Sequence, residues 1–190
     1  MKIPVGISNR HIHLSEEVKK KVLGDNFSLK IKRNLTQSGE FASETKLTIK
    51  TRFGKIEDIR VVGPIRKYTQ VEILKSDEET LGISAPFRNS GYLESSASLI
   101  IEGPLGETEL DNCCIVANRH IHMNEKDAIK YNVKDKEIVR IKAKNNILDN
   151  VNIKIDSSYV LECHLDKDDE LKYDIHNGDE IEILREVNNE

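Results

Sequence analysis

Six histidines stand in this 190-residue chain, and four of them form two His-x-His pairs, His11 with His13 and His120 with His122. On an extended strand the side chains alternate with a period of two, so both imidazoles of a pair emerge on one face. Two neutral ring nitrogens offered together suit a borderline-soft divalent cation such as zinc. One such pair could equally be a solvated surface feature. Here the surroundings repeat as well. Asn9-Arg10-His11-Ile12-His13-Leu14-Ser15-Glu16 recurs as Asn118-Arg119-His120-Ile121-His122-Met123-Asn124-Glu125, an offset of 120 − 11 = 109 residues. A duplicated metal half-site explains this more simply than two unrelated pairs, and it sends Ile12 and Ile121 into the core.

His164, in Leu161-Glu162-Cys163-His164-Leu165-Asp166, is the better candidate for a further ligand, because a strand would hold it rigidly; His176, in Asp174-Ile175-His176-Asn177-Gly178, reads as a solvated turn residue. Three nitrogens with one open position are the catalytic pattern for zinc. Arg66 lies close to Glu72, a ligand or a base, and Arg88 sits in a loop of small polar residues that includes Ser90. Guanidinium forks suit phosphate oxygens, with a surface ion pair as the alternative for each arginine. The three cysteines carry little chemistry. Cys113 and Cys114 are adjacent and face opposite ways on a strand, Cys163 faces away from His164, and the sequence shows no base to activate a thiol.

These residues need strands to carry them. Each His-x-His pair follows an apolar stretch and precedes an N-cap, Ser15 or Asn124, which predicts short helices over 16–23 and 125–131. Alternating runs at 45–51, 56–62, 70–74, 98–101, 137–142, 151–155 and 180–184 read as strands, punctuated by Gly54, Gly63-Pro64 and Gly103-Pro104. Many short strands and few helices predict a mainly β protein of two small β-barrel domains with short capping helices. The polar tail from Glu186 is expected to fray.

Composition narrows the function classes. Lys and Arg number 29 against 33 Asp and Glu, a net charge of −4, with four Phe, five Tyr and no Trp; this argues against a nucleic-acid binder with a basic face. No apolar run approaches the roughly 20 residues of a membrane span. The N-terminus lacks an apolar signal segment, and three cysteines fit a reducing compartment, so the expected location is cytoplasmic.

Taken in order, the motifs resemble the PduL-type phosphate acyltransferases (phosphate propanoyltransferases). The likeness rests on Val5-Gly6-Ile7-Ser8-x-Arg10-His11-Ile12-His13-Leu14-Ser15, Gly63-Pro64-x-Arg66-x-x-Thr69-Gln70-Val71-Glu72 and Ala85-Pro86-x-Arg88-x-Ser90-Gly91. It continues through Gly103-Pro104-x-Gly106, Arg119-His120-Ile121-His122-Met123 and Glu162-x-His164-x-Asp166. The resemblance implies a first barrel over 10–118 and a second over 119–190 completed by 1–9, with a two-zinc site between them. It implies reversible transfer of a short acyl group, acetyl or propanoyl, between coenzyme A and phosphate, so that the partners are acyl-CoA and acyl phosphate. His11, His13 and Glu72 match the ligands of one zinc; His120, His122 and His164 match those of the other. Arg66 matches the catalytic arginine that holds phosphate. Ser8, Arg33 and Arg60 fall where coenzyme A contacts are expected, and Arg88 and Ser90 fall in the substrate loop.

Two departures stand out. Residues 92–98 lack the glycines the family carries, and Leu171 replaces an asparagine expected near the nucleotide. Family members packaged in microcompartments carry a further N-terminal targeting helix; nine residues before Arg10 read as the free form. Two rival classes use the same ligands, a dimetal hydrolase of thioesters or phosphoesters and a non-catalytic metal-binding protein. A homo-oligomer is an open alternative to a monomer.

Overall fold

A computed structural model describes residues 1–184; the tail expected to fray lies outside the described residues. The chain divides into two compact units. One comprises Asn9–Leu35 and Gly39–Ala117, the other Met1–Ser8, Thr36–Ser38 and the chain from Asn118 onward.

In the first unit, β2 (His11–His13), β4 (Phe41–Lys50), β5 (Lys55–Gly63), β6 (Gln70–Ile73), β8 (Ala97–Gly103) and β9 (Gly106–Ala117) close into a ring. Its order is β2-β5-β4-β8-β9-β6 and back to β2, with β3 (Ile31–Asn34) and β7 (Phe87–Arg88) added outside it. In the second unit, β10 (His120–Met123), β11 (Ile138–Ala143), β12 (Asn146–Ile155), β13 (Glu162–Asp166) and β14 (Glu180–Leu184) close with β1 (Ile3–Ser8). That ring runs β10-β12-β11-β14-β1-β13. The two rings share one pattern. Each His-x-His strand pairs parallel with one neighbour and antiparallel with the other, and a second parallel pair, β1 with β13 or β9 with β6, recurs at the same place. The strand that leads into each His-x-His motif therefore belongs to the other motif's barrel.

Aliphatic side chains fill each barrel, as a six-stranded closure requires, and each unit has its own cluster. Ile12, Leu47, Ile49, Val61, Val71 and Ile101 pack in the first; Ile3, Ile121, Ile141, Val151, Ile153 and Cys163 pack in the second. Ile12 and Ile121 are fully buried, so the histidines on either side of each stand on the opposite face of their strand. Both predicted helices form, α1 (Glu16–Leu23) and α3 (Glu125–Tyr131). Ser15 accepts from the Val18 N–H, and Asn124 accepts from the N–H groups of Lys126 and Asp127.

Several elements differ from the expectation. β4 begins at Phe41 and β12 at Asn146, earlier than alternation suggested, because register shifts interrupt the alternation of β4 and the pairing of β12 with β11. β9 extends back to Gly106 through a run of polar residues. Two helices were not foreseen, α2 (Asp77–Leu81) and α4 (Lys167–Tyr173), each little more than one or two turns with acidic first turns and almost no apolar periodicity. Among the described residues, no helix is long and apolar enough to cross a membrane.

Candidate metal centres

In the first barrel each histidine donates its Nδ1 hydrogen to a carbonyl. His11 reaches Asn9 O at 2.8 Å, and His13 reaches Val62 O at 3.1 Å. With its hydrogen held on Nδ1, the neutral form of each ring presents a bare Nε2 lone pair. These nitrogens lie 3.1 Å apart, and Glu72 Oε2 lies 3.6 Å from His11 Nε2. Three electron pairs thus converge with no hydrogen among them, an arrangement that is repulsive unless a cation fills it. With metal–ligand bonds of about 2.0–2.1 Å, tetrahedral ligands stand roughly 3.3 Å apart, and the two spacings straddle that value. Burial, then the neighbouring His11 ring and the Arg66 guanidinium, hold the His13 ring well below the usual imidazole pKa.

The second barrel gathers His120, His122 and His164, whose ligand-capable nitrogens all lie within 4.8 Å of one another. His120 Nδ1 donates to Asn118 O at 2.8 Å, the counterpart of His11 with Asn9. His120 and His164 stack with centroids 4.8 Å apart. Tyr159 covers the His122 ring at 4.1 Å. His122 Nδ1 is buried without a hydrogen-bond partner among the described residues. Burial is the chief cause that pushes His122 down to about 3 and His164 to about 4, with Lys154 adding to both, and it lowers His120 well below its usual value. All three rings are neutral at pH 7, as nitrogen ligands must be. Both donor sets therefore fit a divalent cation.

The candidate third ligand occupies one register position in both barrels: Glu72 lies opposite His11, and His164 lies opposite His120. Gln70 and Glu162 then face His13 and His122. Five residues beyond each third ligand stands a buried aspartate that clamps the arginine preceding the first histidine. Arg10 Nε meets Asp77 at 2.8 Å and Arg119 Nε meets Asp169 at 2.8 Å, and a second nitrogen completes each fork. Sequence similarity is confined to eight residues, yet the geometry repeats around the whole ring.

Arg66 joins the first triad through a chain of bonds. Its Nη1 points to Ser90 Oγ at 3.4 Å; Gln70 Nε2 donates to Ser90 Oγ at 2.8 Å and to Glu72 Oε1 at 2.6 Å. Arg66, Ser90 and the first metal set are thus brought together. Of the other candidates, Arg60 lies opposite His11 in the pairing of β5 with β2. Ser8 donates to Leu165 O in the second unit, Arg60 donates to Ser43 O, Arg33 is exposed on β3, and Arg88 bonds the carbonyl of Phe87. His176 is exposed, and all three cysteines are free and buried.

Sequence reasoning missed Gln70, Glu40 and Glu162 as site residues. Glu162 Oε2 lies 3.2 Å from His164 Nε2 and its Oε1 accepts from Thr36. The signal was a two-residue spacing, Glu162-x-His164 matching Gln70-x-Glu72, which puts each pair on one strand face. Gly6 makes room for this carboxylate, because a Cβ there would stand 2.7 Å from Glu162 Cδ.

A family model described as phosphate propanoyltransferase matches residues 4–175, a span that contains both triads. The chain belongs to the phosphate propanoyltransferase family. It is 40% identical to the phosphate propanoyltransferase of Thermotoga maritima over 96% of this chain and 89% of that protein. It is 38% identical to that of Lachnoclostridium phytofermentans over 96% and 87%, and 37% identical to that of Salmonella typhimurium over 88% and 81%. Against this phosphate propanoyltransferase background, the two departures have definite places. Leu171 is exposed on α4, and in the loop without family glycines Ser95 adopts a positive φ of 56°.

Proposed function

We propose that this phosphate propanoyltransferase family member transfers a short acyl group, acetyl or propanoyl, reversibly between coenzyme A and inorganic phosphate. One zinc ion would be held by His11, His13 and Glu72 and a second by His120, His122 and His164. The observation that carries the metal reading is the convergence of bare lone pairs in the first triad, with the three buried neutral imidazoles of the second as its counterpart. When bound, such ions supply Lewis acidity that stabilises a departing thiolate and a developing oxyanion.

The protein's own residues supply position and charge. Arg66 holds phosphate oxygens, and Ser90 and Gln70 fix the direction of its fork. Phosphate at neutral pH is already a nucleophile, so Glu72 serves as a ligand and no general base is needed. A phosphate oxygen attacks the thioester carbonyl, the carbon–sulfur bond breaks, and coenzyme A leaves as a thiolate that solvent protonates. Holding both reactants in line lowers the barrier by on the order of 7–11 kcal/mol. Direct attack is supported by the thiols: burial raises all three, Cys113 to about 12, so none is a ready nucleophile. Ser8, Arg33 and Arg60 are our candidates for coenzyme A contacts, with Arg88 beside Ser90 in the substrate loop. Three free thiols fit the cytoplasm.

The deciding assay measures acyl-phosphate formation from acetyl-CoA and propanoyl-CoA, with and without a chelator. Formation that chelation abolishes and zinc restores supports the reading. Thioester cleavage at the same rate without phosphate would make the protein a hydrolase instead, and a covalent acyl-protein adduct trapped during turnover would refute direct attack.

A further inference from the structure

Arg66 is flanked by an acceptor as well as by hydroxyl and amide groups. Its Nη2 donates to Glu40 Oε1 at 2.8 Å, whereas Nη1 reaches Ser90 only at 3.4 Å. Neither partner is sealed from solvent: the side chains of Arg66 and Glu40 are 21% and 33% exposed. A carboxylate offers about four lone-pair positions, and Arg66 takes one. Acceptor capacity therefore remains beside the guanidinium.

That combination discriminates among oxyanions. A pocket lined by donors alone takes phosphate, arsenate and sulfate alike. Phosphate and arsenate carry at least one O–H at neutral pH and can donate it to a carboxylate. Sulfate carries none, so two anionic oxygens would be pressed together without a hydrogen between them. We propose that Glu40 is a specificity-determining residue of the phosphate subsite, accepting the O–H of a protonated oxyanion and excluding sulfate. This rests on the assignment of phosphate to Arg66. A site built to bond a substrate hydroxyl rejects analogues that lack it far more strongly than an apolar pocket rejects a missing methylene.

The test uses metal-loaded wild-type protein, Glu40→Gln, Glu40→Ala and Arg66→Ala, each checked for metal content and thermal midpoint. KM is measured for phosphate and arsenate in thioester consumption, with Ki for sulfate as competitor. In the wild type, sulfate Ki should exceed phosphate KM by about a hundredfold or more, with arsenate close to phosphate. Glu40→Gln should lower the sulfate-to-phosphate ratio about tenfold or more, because the amide supplies a donor to sulfate, and Glu40→Ala should lower it in the same direction. An unchanged ratio in Glu40→Gln, or wild-type protein that sulfate inhibits as readily as phosphate binds, would overturn the proposal. If Glu40→Gln does not turn over, the ratio is read from the concentrations of phosphate and sulfate that protect it against thermal unfolding. Arg66→Ala with unaltered phosphate KM would remove the phosphate assignment itself. A raised KM there with an unchanged Glu40→Gln ratio would remove only Glu40.

Discussion

In the proposed metal sites, a histidine is made ready as a ligand by where its other nitrogen is spent. His11 and His120 each donate Nδ1 to the carbonyl two residues back, which fixes the tautomer and aims Nε2 outward. Replacement of His120 or His122 by Ala should therefore release one equivalent of metal, retain the equivalent held by the first barrel, and abolish acyl transfer; metal analysis on the purified variants with a parallel activity assay checks this. Arg66→Ala should cost about 2–4 kcal/mol of transition-state stabilisation, the scale of one lost anion-stabilising donor. That loss should fall on the phosphate dependence of kcat/KM and leave metal content intact.

The elements around each site owe their geometry to paired devices. The clamp of Arg119 on Asp169 ties the residue before β10 to α4, which follows the strand carrying His164. Asp169 is buried, so Arg119→Ala strands an unpaired carboxylate and should destabilise the protein by roughly 3–5 kcal/mol. Arg119→Lys should recover part of the stability without the two-point fork. Equilibrium denaturation of both variants measures the difference. The β2 and β10 strands, with their following helices α1 and α3, were legible in advance, because alternation and capping are local rules. α4 was not, since Lys167-Asp168-Asp169-Glu170-Leu171-Lys172-Tyr173 has too few apolar residues to show a helical period; Asp166 caps it by accepting from the Asp169 N–H.

At the scale of the whole molecule, the buried rings set a pH dependence. In the metal-free fold His122 and His164 titrate near about 3 and about 4, and His13 and His120 are likewise lowered. Unfolded imidazole protonates near 6.5. Between those limits the unfolded chain binds more protons, so stability falls as the pH drops from about 6.5 toward 4. Asp166, raised by burial, works the other way as a single group. Urea midpoints of chelated protein at pH 7, 5.5 and 4.5 should decline in that order. Bound metal should steepen the loss, because protons compete for the same nitrogens.

The sequence by itself determined the repeated His-x-His pairs, their N-capped helices, the mainly β character and the family, because each is written in neighbouring residues or in the order of motifs. It also pointed to His164 over His176. Only the tertiary structure decided the register that sets Glu72 opposite His11 and His164 opposite His120, the matching Arg–Asp clamps, and the meeting of Arg66 with Glu40. Those contacts join residues tens of positions apart, and strand pairing across a closed ring is fixed by packing of the whole barrel, which no local period encodes.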